Sequence, residues 1–156
     1  MRLIALTTLF AFAGVACSGE KKPEASQTAM PAVANASPAP ANDAGPVVEV
    51  KMTGNGSTKA GFEPTTLTIK PGTVVRFLNV SGGPHNVAFY ADSIPKGAAD
   101  ALKKGMPNPM GDLTGPFLTQ PNEKYEVSFA GAPAGKYRAY CMPHVALGMA
   151  LTITVQ

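Results

Sequence analysis

The sequence predicts an all-β domain over residues 47–156, a Greek-key β-sandwich of seven or eight short strands, and two features predict it. Apolar and polar residues alternate in short runs, the period of strands that bury one face. Clusters rich in Gly and Pro punctuate those runs at Pro71-Gly72, Ser81-Gly82-Gly83-Pro84 and Gly131-Ala132-Pro133-Ala134-Gly135, and many short strands separated by turns are the mark of a sandwich.

The alternating pattern opens at Val47. Leu67 and Ile69 then alternate with Thr66, Thr68 and Lys70. Beyond the Pro71-Gly72 turn a strand is expected near Val74 to Val80, and beyond Pro84 another from His85 to Tyr90. Ala98 to Lys104 suits a short helix, whereas Gly105 to Gln120 carries too much Gly and Pro for a regular element. Tyr125, Val127 and Phe129 alternate with Glu126 and Ser128, a further strand runs from Lys136 to Cys141, and Leu151, Ile153 and Val155 alternate with Thr152, Thr154 and Gln156. The expected pairing is antiparallel with one wet face. There is no internal repeat.

Upstream, Met1 and Arg2 precede an apolar run from Leu3 to Ala16, too short to span a bilayer and read as an export signal. Small residues before Cys17 are similar to a bacterial lipobox, although Gly14 stands where that pattern has Leu. Residues 1–17 are therefore read as a lipoprotein-type signal peptide with Cys17 as the lipidated residue; ordinary cleavage near Ala13 or Ala16 is the alternative. Residues 18–46 are dominated by Ala, Pro, Ser and Asn and cannot build a core. They read as a disordered tether, reaching about 30 Å as a coil and about 90 Å as an extended polyproline segment.

Lys and Arg number 13 against 10 Asp and Glu, a formal charge of +3 that is too small and dispersed to imply nucleic acid. The two cysteines, Cys17 and Cys141, lie in unlike surroundings and are not expected to pair.

The chemistry concentrates near the C terminus, where Cys141, His144 and Met149 stand in a C-x2-H-x4-M spacing. Thiolate and thioether favour Cu(I), and imidazole binds both copper oxidation states. One short loop between two strands can present all three. The one other histidine, His85, follows a Gly-Pro turn at the expected start of a strand. Two His and a Cys with a weak axial Met are the donor set of blue-copper electron-transfer sites. Met106 and Met110 are read as loop methionines packing over the core rather than an accessory Cu(I) site, and Lys103 and Lys104 as a solvated edge.

Pro84-His85-Asn86-Val87, Asp92-Ser93-Ile94-Pro95-Lys96-Gly97 and Tyr137 to Met149, with its Tyr140-Cys141 and Pro143-His144, resemble segments of the plastocyanin-like cupredoxins, and the resemblance runs over most of residues 47–156. Pseudoazurins share the loop spacing; azurins fit less well. The resemblance implies a cupredoxin fold, one copper ion held by His85, Cys141, His144 and Met149, and an Asn86 that ties the two ligand loops together by hydrogen bonds. His144 itself lies in an apolar loop with Pro143, Val145, Ala146, Leu147 and Gly148, so the surface at its ring edge is the expected electron port, and the resemblance implies Tyr140 as a second route. Met142 after the Cys, the segment Gly105 to Gln120 and the lack of an acidic cluster depart from plastocyanin.

The expected function is a type 1 copper electron carrier outside the cytoplasm, periplasmic or at the cell surface. It would be a monomer, lipid-anchored to a bacterial membrane, exchanging electrons with a cytochrome or membrane redox complex. A periplasmic module for copper storage or delivery is the alternative. An enzyme is disfavoured because a second copper centre would need further His ligands and both histidines are used.

Overall fold

The computed structural model describes residues 45–156. The expectations for the signal peptide, Cys17 and nearly all of the tether lie outside the described residues.

Among the described residues, eight strands form two four-stranded sheets, as the alternating pattern predicts. They are β1 (Val47–Gly54), β2 (Ala60–Glu63), β3 (Thr66–Ile69), β4 (Val74–Asn79), β5 (Ala88–Phe89), β6 (Lys124–Ser128), β7 (Gly135–Tyr140) and β8 (Ala150–Val155). One sheet has the order β2-β1-β4-β6 and the other β3-β8-β7-β5. The residues that alternate in sequence are the ones that turn inward: Val50 and Met52, Tyr125 and Val127, Tyr137 and Ala139, Leu151, Ile153 and Val155 are all buried. Aromatic edges interlock between them, Phe129 meeting Phe89 and Tyr137 at centroid distances of 6.2 and 5.4 Å in T-shaped contacts.

The expectation of purely antiparallel pairing is corrected. β1 pairs with β4 in parallel, and β3 pairs with β8 in parallel. The cause is the short link between β2 and β3, which moves the chain from the edge of one sheet to the edge of the other. A pattern of period 2 reports which face is buried, and it is silent about the direction of the neighbouring strand.

Helix α1 (Ala98–Gly105) agrees with the expected segment to one residue and buries Ala98 and Leu102. Gly105 ends it against β6, where a Cβ would stand 2.0 Å from the Ser128 carbonyl oxygen. The expected strand from His85 to Tyr90 shrinks to Ala88–Phe89. The backbone of its first half pairs instead with the irregular segment that follows α1. His85 and Leu118 exchange both of their backbone hydrogen bonds, at 3.0 and 2.7 Å, and the Gly115 amide donates to the Val87 carbonyl at 2.8 Å. Met106 lies in the core, as expected; Met110 is about half exposed and does not. Lys103 and Lys104 are exposed, and Lys103 lies 3.4 Å from Asp112.

Candidate metal centre

β7 delivers Cys141 and β8 begins directly after Met149, so these two residues extend the ladder between the strands: the Cys141 amide donates to the Met149 carbonyl at 3.1 Å. Between them the chain turns through a short 3₁₀ helix, Met142–Leu147, with Pro143 in its first turn. Proline suits that position, where its missing N–H has no partner to lose. His144 leaves helical geometry (φ −118°, ψ 16°), and its amide donates to the Cys141 carbonyl at 3.1 Å. Gly148, at φ 77°, reverses the chain so that the Met149 amide reaches the His144 carbonyl at 3.3 Å. Backbone bonds within the loop thus fix where its three donor residues stand.

His85 arrives from the segment that leads into β5, the neighbour of β7 in the same sheet, at the end of the Ser81–Pro84 turn. Its Nε2 lies 2.9 Å from the Ser81 carbonyl oxygen. A carbonyl only accepts, so Nε2 carries the proton and Nδ1 is left with a bare lone pair. That Nδ1 lies 3.6 Å from Cys141 Sγ, and His144 Nδ1 lies 3.4 Å from it. The three donor atoms are all within 4.8 Å of one another. The two imidazole rings are tilted by 56° to one another, with centroids 4.7 Å apart.

His85, Cys141 and Met149 are buried, and His144 is 8% exposed. Burial pushes the Cys141 thiol up from its ordinary range, with the amides of Asn86 and His144 opposing the rise. Burial also lowers His85, with the Ser81 hydrogen bond acting the other way. A thiol and an imidazole lone pair, buried and aimed at one point, are donors that a soft cation would stabilise, since a bound cation deprotonates a thiol outright. Two imidazole nitrogens, a thiolate and a thioether are the donor chemistry that copper takes, and the residues present fit it.

Asn86 connects the two ligand segments. Its Oδ1 accepts the Met142 amide at 2.9 Å, its own amide points at Cys141 Sγ at 3.5 Å, and its Nδ2 donates to the Gly115 carbonyl at 3.3 Å. Around His144 the surface is apolar: Pro143 is exposed, and so are Met142, Val145 and Leu147. Tyr140 lies elsewhere, half-buried and stacked on Tyr90 at 4.2 Å.

The sequence model for copper-binding proteins of the plastocyanin/azurin family matches residues 48–156. The chain belongs to that family. Plastocyanin of Scenedesmus fuscus is 40% identical over 110 residues, 70% of this chain and 99% of that protein. Chloroplastic plastocyanin of Chlamydomonas reinhardtii is 42% identical over 96 residues, 61% of this chain, and the chain spans only 58% of that protein's length. Among solved structures, oxidised plastocyanin of the fern Dryopteris crassirhizoma is similar with a TM-score of 0.54 at 26% identity, covering 70% of this chain and all of that one. In this plastocyanin/azurin member, His85, Cys141, His144 and Met149 are arranged as a type 1 copper site, the kind that carries single electrons.

Three contributors to the site carry no signal in the sequence. The Ser81 carbonyl and the backbone of Gly115 and Leu118 act through groups that every residue type has. Tyr90 is visible only as one more aromatic at the end of a strand.

Proposed function

We propose that the chain is an exported one-electron carrier whose copper is held by His85, Cys141, His144 and Met149. The convergence of His85 Nδ1, Cys141 Sγ and His144 Nδ1 in a buried site carries this reading. Bound there, copper supplies a reversible one-electron couple between Cu(I) and Cu(II).

The chain's own residues supply the rest. The Ser81 carbonyl orients the His85 ring and selects its tautomer, the kind of outer contact that aims a metal ligand. Asn86 holds the Met142 amide and so keeps the two ligand segments in register. The two-sheet scaffold limits how far the donors shift on a change of charge. On His85 the imidazole nitrogen aimed away from Sγ is already hydrogen-bonded to the Ser81 carbonyl, so this ring stays fixed in one tautomer. The apolar rim of Met142, Pro143, Val145 and Leu147 around the edge of His144 suits brief contacts with a redox partner, since such complexes bury small areas. Tyr140, covalently next to Cys141, offers a second route.

The export reading rests on the apolar run from Leu3 to Ala16, and anchoring on the small residues before Cys17. A lipid on Cys17 and the Pro-rich residues 18–46 would hold the copper domain, residues 47–156, near a membrane as a monomer while letting it reach a cytochrome or a membrane redox complex. The test is retention of copper through repeated reduction and reoxidation. An electron carrier keeps one copper per chain through the cycle. Release of Cu(I) to a competing chelator on reduction would favour storage or delivery instead. Metabolic labelling with a fatty acid, lost in Cys17→Ala, tests the anchor.

A further inference from the structure

Asn79 ends β4, an interior strand of the β2-β1-β4-β6 sheet, and is buried although it is polar. A buried amide costs stability unless its groups are paired, and Asn79 directs its hydrogen bonds at a single stretch of chain. Its backbone amide donates to the Glu123 carbonyl at 2.9 Å, and its own carbonyl accepts the Asn122 amide at 2.7 Å. Its side-chain Nδ2 donates to the Leu118 and Gln120 carbonyls, both at 3.0 Å. Oδ1 alone has no hydrogen-bond partner among the described residues. The Glu123 carboxylate accepts the Thr119 and Gln120 amides, so residues 118–123 are folded around the end of β4.

Leu118 carries this grip to the metal centre. Its carbonyl receives the His85 amide at 3.0 Å as well as Asn79 Nδ2, which uses both lone pairs of one oxygen, and its amide donates to the His85 carbonyl at 2.7 Å. His85 is thereby held at three points, two on its backbone by Leu118 and one on its ring by the Ser81 carbonyl, 2.9 Å from Nε2. Ser81 stands two positions past Asn79, and the Val80 and Ser81 amides both reach the Met52 carbonyl, at 2.9 and 3.4 Å. A closed ring of bonds therefore runs from Asn79 through Ser81 and His85 to Leu118 and back to Asn79. The packing within it is tight: a Cβ at Gly83 would stand 3.0 Å from Asn79 Nδ2, 3.3 Å from the Leu118 carbonyl oxygen and 3.4 Å from the His85 amide nitrogen.

We propose that Asn79 is a positioning residue for His85: it fixes the Leu118 carbonyl that holds the backbone of His85, and so the place of the His85 Nδ1 lone pair, 3.6 Å from Cys141 Sγ. The proposal rests on the copper reading of the site and adds a tie across the sandwich to it. His85 leads into β5 of one sheet, and Asn79 secures it to the end of β4 in the other. Asparagine suits the position because two carbonyls face one terminal atom, which must then bring two hydrogens. Aspartate has the same shape and would turn an acceptor oxygen on both carbonyls. Leucine has a similar volume and no donor. Outer contacts that aim a metal ligand change metal affinity by about 10- to 100-fold when they are removed.

The experiment uses the copper-loaded full chain and compares Asn79→Leu with Val75→Ala, a core change on the same strand that touches none of these bonds. In the reduced, diamagnetic form, hydrogen exchange followed by NMR should quicken in Asn79→Leu at the His85 and Leu118 amides and at the His85 Nε2–H. The gain there should exceed that at the Tyr137 and Ile153 amides of the β7-β8 ladder by about tenfold or more. Cu(II) affinity, measured by competition with a chelator, should fall by about 10- to 100-fold in Asn79→Leu and stay at the parent value in Val75→Ala. Exchange that is unchanged at His85, or that quickens as much at Tyr137 and Ile153, would overturn the proposal. So would an affinity that is unchanged in Asn79→Leu or falls equally in both variants, because Asn79 would then serve the fold alone. If Asn79→Leu does not fold, Gly83→Ala carries the test, since its methyl presses on Asn79 Nδ2, the Leu118 carbonyl and the His85 amide together. Local quickening at His85 and Leu118 with weaker Cu(II) binding is expected, and the absence of either overturns the proposal. A parent protein that takes up no copper would overturn the copper reading itself. A blue, reducible parent in which Asn79→Leu leaves His85 exchange unchanged would overturn this proposal alone.

Discussion

The Asn86 side chain accepts the Met142 amide across 2.9 Å, joining two ligand segments that lie 56 positions apart in the chain. One end of the bridge sits beside His85 and the other beside Cys141, so the distance between these two donors is set by a single hydrogen bond and the strand ladders behind it. The same residue also donates to Gly115 in the irregular segment. Asn86 is therefore where three pieces of backbone meet.

Replacing it tests that role. Asn86→Ala removes both side-chain bonds and leaves the half-buried Met142 amide without its partner, a loss of about 1 to 3 kcal/mol. Denaturant unfolding of the metal-free chain should show that loss, and the copper-loaded variant should have a shifted visible band. An unchanged midpoint and spectrum would remove Asn86 from the account.

Two glycines at nearly the same backbone angle separate strain from collision. Gly82, at φ 76°, precedes His85 in the ligand turn, and a Cβ there would stand 2.2 Å from the Gly54 backbone. Gly56, at φ 77°, has nothing within 4 Å of that position. Gly56→Ala should cost only the left-handed penalty, about 1 to 2 kcal/mol. Gly82→Ala should cost clearly more and weaken copper binding, since Ser81 and His85 must both move. Equal costs in thermal unfolding would contradict this packing.

The Tyr125 hydroxyl is buried without a hydrogen-bond partner, and burial pushes its pKa up from 10.0 to about 12. Between those values the unfolded chain gives up a proton that the folded chain keeps. Stability from this residue is therefore complete below pH 10 and is lost as pH rises toward about 12, by about 2 to 3 kcal/mol. Tyr125→Phe should flatten that part of the alkaline decline and be at least as stable at neutral pH, where it removes an unpartnered polar atom. Identical alkaline unfolding curves for the two proteins would contradict the assignment.

Met149 supplies the weak fourth donor, and axial ligands tune the potential of such sites. Met149→Leu keeps an apolar side chain of similar volume and removes a donor to Cu(II), so the protein should stay blue with a raised reduction potential. Spectroelectrochemical titration measures it. A colourless variant would mean that Met149 holds the site together.

The donor set was legible because three of its members fall within nine residues of one loop, and only one other histidine exists to complete it. The buried faces were legible for a similar reason, since each strand carries its own alternation. What stayed hidden depends on partners distant in sequence. The parallel pairing of β1 with β4, and of β3 with β8, leaves no mark on any one strand. Leu118 and Gly115, in a segment that looked merely irregular, supply the backbone groups that His85 and Val87 would otherwise lack. Met110 looked like a core residue by type, yet the turn that begins at Gly111 leaves it on the surface.

The most direct test of the central claim is the visible absorption of the full chain with one equivalent of Cu(II), compared with Cys141→Ser. The account predicts an intense blue charge-transfer band that bleaches on mild reduction, returns on reoxidation, and is absent from the variant while the fold persists in far-ultraviolet circular dichroism. A band that survives Cys141→Ser, or a copper complex without any such band, would contradict it.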